Sequence, residues 1–281
     1  MTILTKLKIE HAFSLPLESL TFKSLFQGAA IAVDPRDNKL YFWQLQAKET
    51  GPGDVEDIYA HRFALDLVKG VATKKDTMII KRAGHVQSLR VRISVLGNPW
   101  LWMGTETYDS NGKTTGSVVH RIMHRRGTVT LDGKTKDVDR VYTGSGSVQV
   151  IGSEKNIWLR RPSTPEVYEE HDEDVLRAWK SGSARPKPLR TVTLVRGKTT
   201  YQSSCATPDG EILRVNGATE NASILISSQR AGEVDFTLAA PVGLKVTSEE
   251  PEAVFTWKGQ AYALKRFNSV DRRVVSAFKI G

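Results

Sequence analysis

Residues 88–106 read SLRVRISVLGNPWLWMGTE, a sequence with the pattern of two strands joined by a short polar turn. The first run alternates apolar and polar residues, the second is rich in apolar and aromatic residues, and LGNP has the residue types that close hairpins. Four other segments share this pattern: QGAAIAVDPRDNKLYFWQLQ from Gln27, SVQVIGSEKNIWLRR from Ser147, SSCATPDGEILRVNG from Ser203 and EAVFTWKGQAYALKR from Glu252. The sequence therefore predicts five copies of one hairpin.

Each repeated unit extends beyond its hairpin. Equivalent positions in the second runs recur every ~50 to 60 residues, at Leu40, Leu101, Ile157, Ile212 and Ala261. A third run follows in each unit, beginning at Asp57, Gly116, Asp174, Ala222 and Arg272. Four units continue with a fourth run, which reads TMIIKRA, KDVDRVY, TVTLVR or VGLKVT. Antiparallel four-stranded units repeated in this way are typical of the blades of a β-propeller.

The expected fold is all-β, a five-bladed β-propeller of four-stranded antiparallel blades that forms one domain over residues 1–281. The blades are expected at about residues 21–82, 83–143, 144–197, 198–248 and 249–281. The last unit has only three runs, and the N-terminal segment 1–20 has no partner of its own. We therefore expect a strand near Lys6 to Phe13 to complete the last blade beside Arg272 to Ile280, because ring closure removes exposed sheet edges. A β-sandwich or two barrels would not predict five similar units.

Residues 165–182, PEVYEEHDEDVLRAWKSG, allow two assignments. The composition favours a helix, whereas the position in the repeat predicts a third strand, and both stay open. The acidic cluster from Glu169 to Asp174 is expected in a solvated loop. A calcium site is the weaker alternative because the spacing of the acids does not fit a calcium-binding loop, so the metal content is left undetermined.

Composition limits the classes of partner. Lys and Arg number 40 against 31 Asp and Glu, which gives a formal charge of +9 and an excess that favours polyanionic partners over neutral ones, although charge also serves solubility. The basic residues form no single stripe, so we do not expect nucleic-acid binding. The N-terminus lacks the pattern of a signal peptide, no apolar run predicts membrane insertion, and Cys205 alone excludes an internal disulfide. We expect Cys205 to be a buried apolar residue.

The candidate ligand residues are those that open the innermost strands, because these strands converge on the axis of a propeller. They are Gln27, His85, Gln87, Gln149, Gln202 and Glu252. Glu106, at the end of a second strand, and Trp100, in a turn where we expect an exposed ring, complete the set. Alternatively, the amides bond to one another around the axis and bind no ligand. His120 and His124 are expected to be exposed, and neither catalytic residues nor cofactors are assigned.

Residues 83–127, AGHVQSLRVRISVLGNPWLWMGTETYDSNGKTTGSVVHRIMHRRG, resemble the propeller of phage receptor-binding tail proteins and teichoic-acid-biosynthesis-C-like proteins. That family has a Gly-His pair, then a strand that runs from Trp to Glu, then a basic residue. The matching residues here are Gly84-His85, Trp102 to Glu106, and Arg121. The first repeat and the closing segment EEPEAVFTWKGQAYAL are similar to the family as well. Val86 occupies the third position, where the family's Gly-His-Gly motif has its second glycine.

This resemblance implies a non-enzymatic phage tail fibre or receptor-binding protein of the virion tail, which attaches to a host cell-wall glycopolymer such as teichoic acid or another surface carbohydrate. It also implies contacts with other tail or baseplate proteins and a homotrimer. Two alternatives stay open. One is a propeller-fold glycosidase or lactonase-type hydrolase, for which Glu106 and Glu252 are the obvious pair of carboxylates. The other is a structural component of the baseplate or tail hub. The host and the sugar are not predicted.

Overall fold

The computed structural model describes residues 9–16, 26–51, 55–131, 135–143, 148–163, 165–179, 184–194, 201–216, 223–228, 232–237, 246–269 and 273–280. Strands form nearly all of the regular structure in these ranges, which confirms the predicted all-β class. A single short helix, α1 (Glu173–Ala178), occurs within them. None of the described segments forms a helix with the length and hydrophobicity that a membrane crossing requires.

The first group of strands contains β2 (Phe26–Val33), β3 (Leu40–Glu49), β4 (Glu56–Asp66) and β5 (Val71–Lys81), paired antiparallel in that order. The turn between β2 and β3 forms locally. The carboxylate of Asp34 accepts hydrogen bonds from the backbone N–H and the guanidinium of Arg36. Asn38 adopts a φ of 56°, which asparagine tolerates better than most residues. The predicted first hairpin and its third strand are confirmed.

The second group pairs β6 (Arg90–Ile93), β7 (Pro99–Tyr108), β8 (Thr114–Met123) and β10 (Val138–Thr143) in that order. A short strand, β9 (Gly127–Thr130), leaves this group and pairs in parallel with β5. This crossover links the first two groups through backbone hydrogen bonds.

The third group pairs β11 (Gln149–Ile151), β12 (Ile157–Arg161), β13 (Glu166–His171) and β14 (Arg190–Leu194). The prediction of a third strand from Asp174 was wrong, because that residue lies in α1, which follows β13. Asp172 caps α1 by accepting hydrogen bonds from two N–H groups of its first turn. The expected solvated acidic loop is wrong too, since Glu169 and Glu173 are buried.

The fourth group pairs β15 (Tyr201–Ala206), β16 (Ile212–Asn216), β17 (Ser223–Ser228) and β18 (Gly232–Thr237). Its fourth strand was predicted as VGLKVT, residues 242–247, and this prediction was wrong. β18 takes that place, since it begins at Gly232 and pairs with β17 from Ser228 onward. Val246 instead begins the next strand, and residues 242–245 lie outside the described residues.

The last group pairs β19 (Val246–Trp257), β20 (Gln260–Ser269), β21 (Arg273–Ile280) and β1 (Ile9–Pro16). β1 runs antiparallel to β21, with Ile9 opposite Ile280, so the N-terminal strand completes the last group as predicted. The predicted residues 6–8 lie outside the described residues. A parallel contact between Ser14 and Val71 joins β1 to β5, so the first and last groups share one continuous sheet.

In each group the first and third strands begin, and the second and fourth strands end, at the same edge. We call the surface formed by these edges the entry face, because the connections between groups enter the first strands there. Gln87, before β6, contacts Tyr201 at the start of β15 and Gln149 at the start of β11. These contacts place the entry edges of three groups side by side.

Apolar side chains pack between neighbouring groups. Trp43, Trp102 and Trp158 are fully buried, and so is Cys205, as expected. Close packing depends on Gly28, where an added Cβ would lie 2.6 Å from the backbone of Ser88. This contact brings the first strand of the first group against the segment that opens the second.

The predicted exposure of His120, in β8, and of His124, which follows β8, was wrong because neighbouring side chains cover both rings. His120 and His124 are 5% and 4% exposed. His120 bonds to the Thr105 hydroxyl at 2.8 Å, and His124 Nε2 lies 2.8 Å from a carboxylate oxygen of Asp76. Trp100 is half-buried, because a guanidinium, that of Arg121, lies 3.5 Å from its ring centroid.

Candidate functional site

The structure separates the predicted site residues into several places. His85, Gln87, Glu106 and Gln149 lie on the entry face, whereas Trp100 begins β7 at the opposite edge. Gln27 is buried at the start of β2, and Gln202 is half-buried in β15. Glu252 is 2% exposed inside β19, with Oε1 3.3 Å from Nε of Arg266. Glu106 and Glu252 therefore contact different partners.

A chain of hydrogen bonds joins three groups of strands at the entry face. Gln87 Nε2 donates to the carbonyl of Tyr201 at 3.2 Å, and Gln149 Nε2 donates to Gln87 Oε1 at 2.9 Å. The chain continues from Arg160, whose Nη1 donates to Gln149 Oε1 at 2.7 Å. We call these residues, with Glu166, Tyr168 and Arg214, the central network. The alternative that the amides bond to one another is confirmed for this pair of glutamines.

The buried charges of the central network surround one carboxylate. Glu166 accepts hydrogen bonds from Arg160 and from the Tyr168 hydroxyl, and Nε of Arg214 lies 3.6 Å from its second oxygen. Burial alone raises the pKa of Glu166, but the hydrogen bond and charge of Arg160 outweigh this effect and hold the pKa below its usual value. The ring of Tyr201 lies 3.5 Å from the guanidinium of Arg160. The network is therefore an internally paired, ionised cluster.

A second cluster forms where the first and second groups meet. His85 Nδ1 lies 3.1 Å from a carboxylate oxygen of Glu56, and the His85 N–H points to Glu106 Oε2 at 3.4 Å. The Tyr108 hydroxyl donates to the same Glu106 oxygen at 2.9 Å. Burial lowers the pKa of His85, but the hydrogen bond to Glu56 and the charges of Glu56 and Glu106 outweigh it and raise the pKa. Gly84, with a φ of 76°, leaves no room for a side chain beside Glu106.

An open pocket of about 400 Å³ adjoins this cluster between β5, β7, β8 and β10. Its polar lining includes Lys81, Arg82, Glu106, Tyr108, His120 and Arg140. Burial and the Glu106 carboxylate raise the pKa of Tyr108, so its hydroxyl stays protonated near neutral pH. The pocket thus combines three cations with neutral and anionic hydrogen-bonding groups.

No arrangement of three or more His, Cys, Asp or Glu side chains within the described ranges fits a metal ion. The sequence predicted a solvated acidic loop from Glu169 to Asp174, but the buried carboxylates of Glu169 and Glu173 bond to arginines. Glu173, for example, accepts from Arg90 and Arg92.

Most residues of the pocket and the central network were not predicted, although one signal in the sequence points to several. Glu106 was selected because it ends a second strand with a charged residue. The same criterion selects Arg160 and Arg214, which also stand near the ends of apolar second strands. Glu56, Arg82 and Arg140 carry no comparable signal, because they reach the site from third and fourth strands.

Comparison with known proteins gives a fold but no family. No family model matches the chain, and no curated protein matches it. The tail fibre of Staphylococcus aureus phage P68 superposes with a TM-score of 0.72 and 13% sequence identity, over 99% of this chain and 53% of that one. The chain thus spans about half the length of that tail fibre. A GH43_1 enzyme from Xanthomonas citri superposes with a TM-score of 0.51 and 10% identity, over 96% of this chain and 90% of the enzyme. The fold is accordingly all-β and β-propeller-like.

Proposed function

We propose that this protein is the receptor-binding part of a phage tail fibre and that its entry face attaches to a host cell-wall glycopolymer. The observation that carries the proposal is the superposition of 99% of the chain on a phage tail fibre with a TM-score of 0.72. The formal charge of +9 supports an anionic receptor, because a net positive field raises the rate of encounter with polyanions.

We further propose that the five groups of strands are the blades of one five-bladed propeller over residues 1–281, with the bounds predicted from the repeat except that the last blade begins at Val246. Attachment to other tail proteins and assembly as a homotrimer on the virion belong to the same proposal. Multivalency supports it in physical terms, since several weak sugar sites on one particle raise the effective affinity without new contacts.

The predicted ligand residues are redistributed in this proposal. His85 and Glu106 stay candidates because both lie beside the open pocket. Gln87 and Gln149 hold the groups together through the central network, and their capacity for further hydrogen bonds is reduced. Gln27, Gln202, Glu252 and Trp100 stay predictions with a weaker argument, because burial or position separates them from the pocket.

The test is binding of the purified protein to isolated bacterial cell walls, before and after acid extraction of the anionic wall polymers. We expect the protein to cosediment with intact walls and to lose most of this binding after extraction. Binding should also weaken as the salt concentration rises from about 50 to about 500 mM, because the added ions screen the attraction between exposed charges. Undiminished binding to extracted walls would contradict a glycopolymer receptor.

One observation favours an enzyme as the second candidate. Glu56 and Glu106 both approach His85, so two carboxylates converge beside a pocket. Glycoside hydrolysis uses two such carboxyl groups. Incubating the protein with the extracted wall polymer and measuring new reducing ends or released repeat units distinguishes the two functions. Turnover that is abolished by Glu106→Gln would favour the hydrolase.

A further inference from the structure

The pocket between the first and second groups has a cationic wall that the protein's own hydrogen bonds hold in position without a ligand. Asp57, 1% exposed, accepts a hydrogen bond from Lys81 Nζ at 2.6 Å and another from the Arg82 backbone N–H at 2.9 Å. Arg82 adopts a φ of 54°, in the left-handed region that residues with a side chain rarely occupy. Backbone strain of this kind is concentrated at functional sites. One buried carboxylate therefore holds the corner from which the guanidinium of Arg82 projects.

The two arginines of the pocket keep their guanidinium groups available. Within the described ranges neither Arg82 nor Arg140 forms an ion pair, and both side chains are exposed. Arg82 lies 5.8 Å from the Tyr108 ring, a contact that orients the guanidinium without neutralising it. Other arginines, such as Arg62 and Arg121, contact a carboxylate. Among the described residues, the two pocket arginines thus carry positive charge that no carboxylate neutralises.

The opposite wall suits hydroxyl groups. The Glu106 carboxylate accepts from the Tyr108 hydroxyl and keeps lone pairs for further donors. His120 faces the same space, and burial, with a smaller effect from the charge of Arg140, lowers its pKa to about 4. Near neutral pH its imidazole is therefore an uncharged hydrogen-bonding group. A polyhydroxy ligand can donate to Glu106 while its anionic group lies at the arginines.

We infer that this pocket binds a phosphate-bearing sugar or polyol unit, with Arg82 and Arg140 as the ligands of the phosphate and Glu106 as an acceptor for the hydroxyls. The source of that unit rests on the proposed function, in which the receptor is an anionic wall polymer. Guanidinium groups match phosphate oxygens in a bidentate geometry, which favours phosphate at a site with two arginines. A cavity of about 400 Å³ accommodates one repeat unit, so the chain of the polymer must leave through its open side.

The inference is tested with the double variant Arg82→Ala/Arg140→Ala and a matched control, Lys39→Ala/Lys69→Ala. The control removes the same charge from turns at the opposite edge, where the two side chains are 66% and 78% exposed. Affinity for poly(glycerol phosphate) is measured by calorimetry, with polygalacturonate as a carboxylate polymer in a parallel arm. Inorganic phosphate is added as a competitor.

We expect the pocket variant to lose at least about tenfold in affinity for poly(glycerol phosphate), because charge-assisted hydrogen bonds are lost. The control variant should stay within about twofold of the wild type, since only the long-range field changes. Inorganic phosphate should compete with the polymer for the wild type. Equal losses in the two variants would overturn the pocket in favour of a diffuse charge effect. Stronger binding of polygalacturonate than of the phosphate polymer would overturn the assignment of phosphate.

The failure of this inference can be distinguished from failure of the proposed function. If the wild type binds cell walls and the pocket variant binds them equally well, the receptor site lies elsewhere on the face and the pocket assignment is wrong. If the wild type binds poly(glycerol phosphate) through the arginines but does not bind walls, the pocket stands and the proposed receptor is wrong.

Discussion

The central network and the pocket between the first and second groups are both polar and both include residues of the entry face, yet they differ in what their charges contact. In the network, Arg160 and Arg214 lie 4% and 0% exposed around Glu166, and their contacts are largely with the protein. In the pocket, Arg82 and Arg140 are exposed and form no ion pair within the described ranges. The polar residues of the central network therefore serve cohesion, whereas the two arginines of the pocket, which have no ion pair in the described part of the chain, can contact a ligand.

This difference also concerns energy. Removing one partner of a buried ion pair is costly because the remaining charge stays in a medium of low polarity. Removing an exposed cation costs little stability because water already solvates it. The two regions should thus respond oppositely to mutation, with loss of folding in one and loss of binding in the other.

The largest expected effect is that of Glu166→Gln in the central network. The substitution keeps the shape of the side chain but leaves two buried guanidinium groups without a counter-charge, so the free energy of unfolding should fall by about 3 to 5 kcal/mol. Urea denaturation followed by tryptophan fluorescence measures this change. The matched control is Asp174→Asn, which removes an exposed pair with Arg177 at 3.2 Å and should cost about 1 kcal/mol or less. Similar losses in both variants would contradict a cohesive role for the network.

A smaller loss is expected from Gly28→Ala, which tests the close approach that supports the central network. The new Cβ would lie 2.6 Å from the backbone of Ser88, in the segment before β6, and backbone atoms cannot yield as the end of a flexible side chain can. We expect the free energy of unfolding to fall by about 1 to 3 kcal/mol, as for other overpacked sites. Gly116→Ala is the control, because there the nearest atom is a hydroxyl oxygen at 3.6 Å. A neutral Gly28→Ala would show that the groups are less tightly packed than the structure indicates.

The pH dependence of stability should separate His120 of the pocket from His85 of the adjoining cluster. The pKa of His120 in the folded protein is about 4, below the usual 6.5. Its contribution to the free energy of unfolding is therefore present above pH 6.5 and is lost as the pH falls towards 4. The folded pKa of His85 is raised, so its contribution is present below pH 6.5 and is lost as the pH rises through the folded pKa. His120→Gln should therefore reduce the loss of stability between pH 6.5 and 4, whereas His85→Gln should reduce the loss of stability as the pH rises from 6.5 to 8. Urea denaturation at pH 8, 6.5 and 4.5 measures both, and parallel curves for the two variants would contradict this assignment.

The smallest effect on stability is expected for Arg82→Ala/Arg140→Ala. Neither side chain has an ion pair to lose among the described residues, so the free energy of unfolding should change by about 0.5 kcal/mol or less. Thermal denaturation of this variant beside the wild type checks it. A loss of several degrees in the midpoint would mean that the two arginines stabilise the fold, and the contrast with the central network would disappear.

The fold was largely predictable from the sequence, because hairpin turns and alternating strands are local signals. The segments around Pro99 and Gly210 show turn residues beside apolar runs, and both are hairpins in the structure. The wrong prediction of a third strand from Asp174 has a local cause. The insertion of α1 after His171 shifts the spacing of the third unit, so the match at Asp174 reflected the repeat length and not the strand itself.

The site was predicted less well, because its contacts join residues far apart in the chain. Gln87 and Tyr201 are 114 residues apart, and no periodicity links them. Choosing the residues that open inner strands identified His85, and choosing the end of a second strand identified Glu106, which meets His85 beside the pocket. Glu252 was chosen in the same way as His85, but its carboxylate is buried next to Arg266. Arg82 follows β5 and Arg140 lies in β10, which are the fourth strands of their groups. The sequence analysis chose candidates only near first and second strands.

The pairing of β1 with β21 has a consequence for the rate of folding. Every other antiparallel contact joins strands that are near in sequence, but Ile9 can meet Ile280 only after nearly the whole chain has been brought together. The entropy of closing a loop grows with its length, and such non-local contacts are slow to form. Completion of the last group should therefore be a late step. Until then β21 presents an open edge, which the N-terminal strand of a second molecule can occupy at high protein concentration.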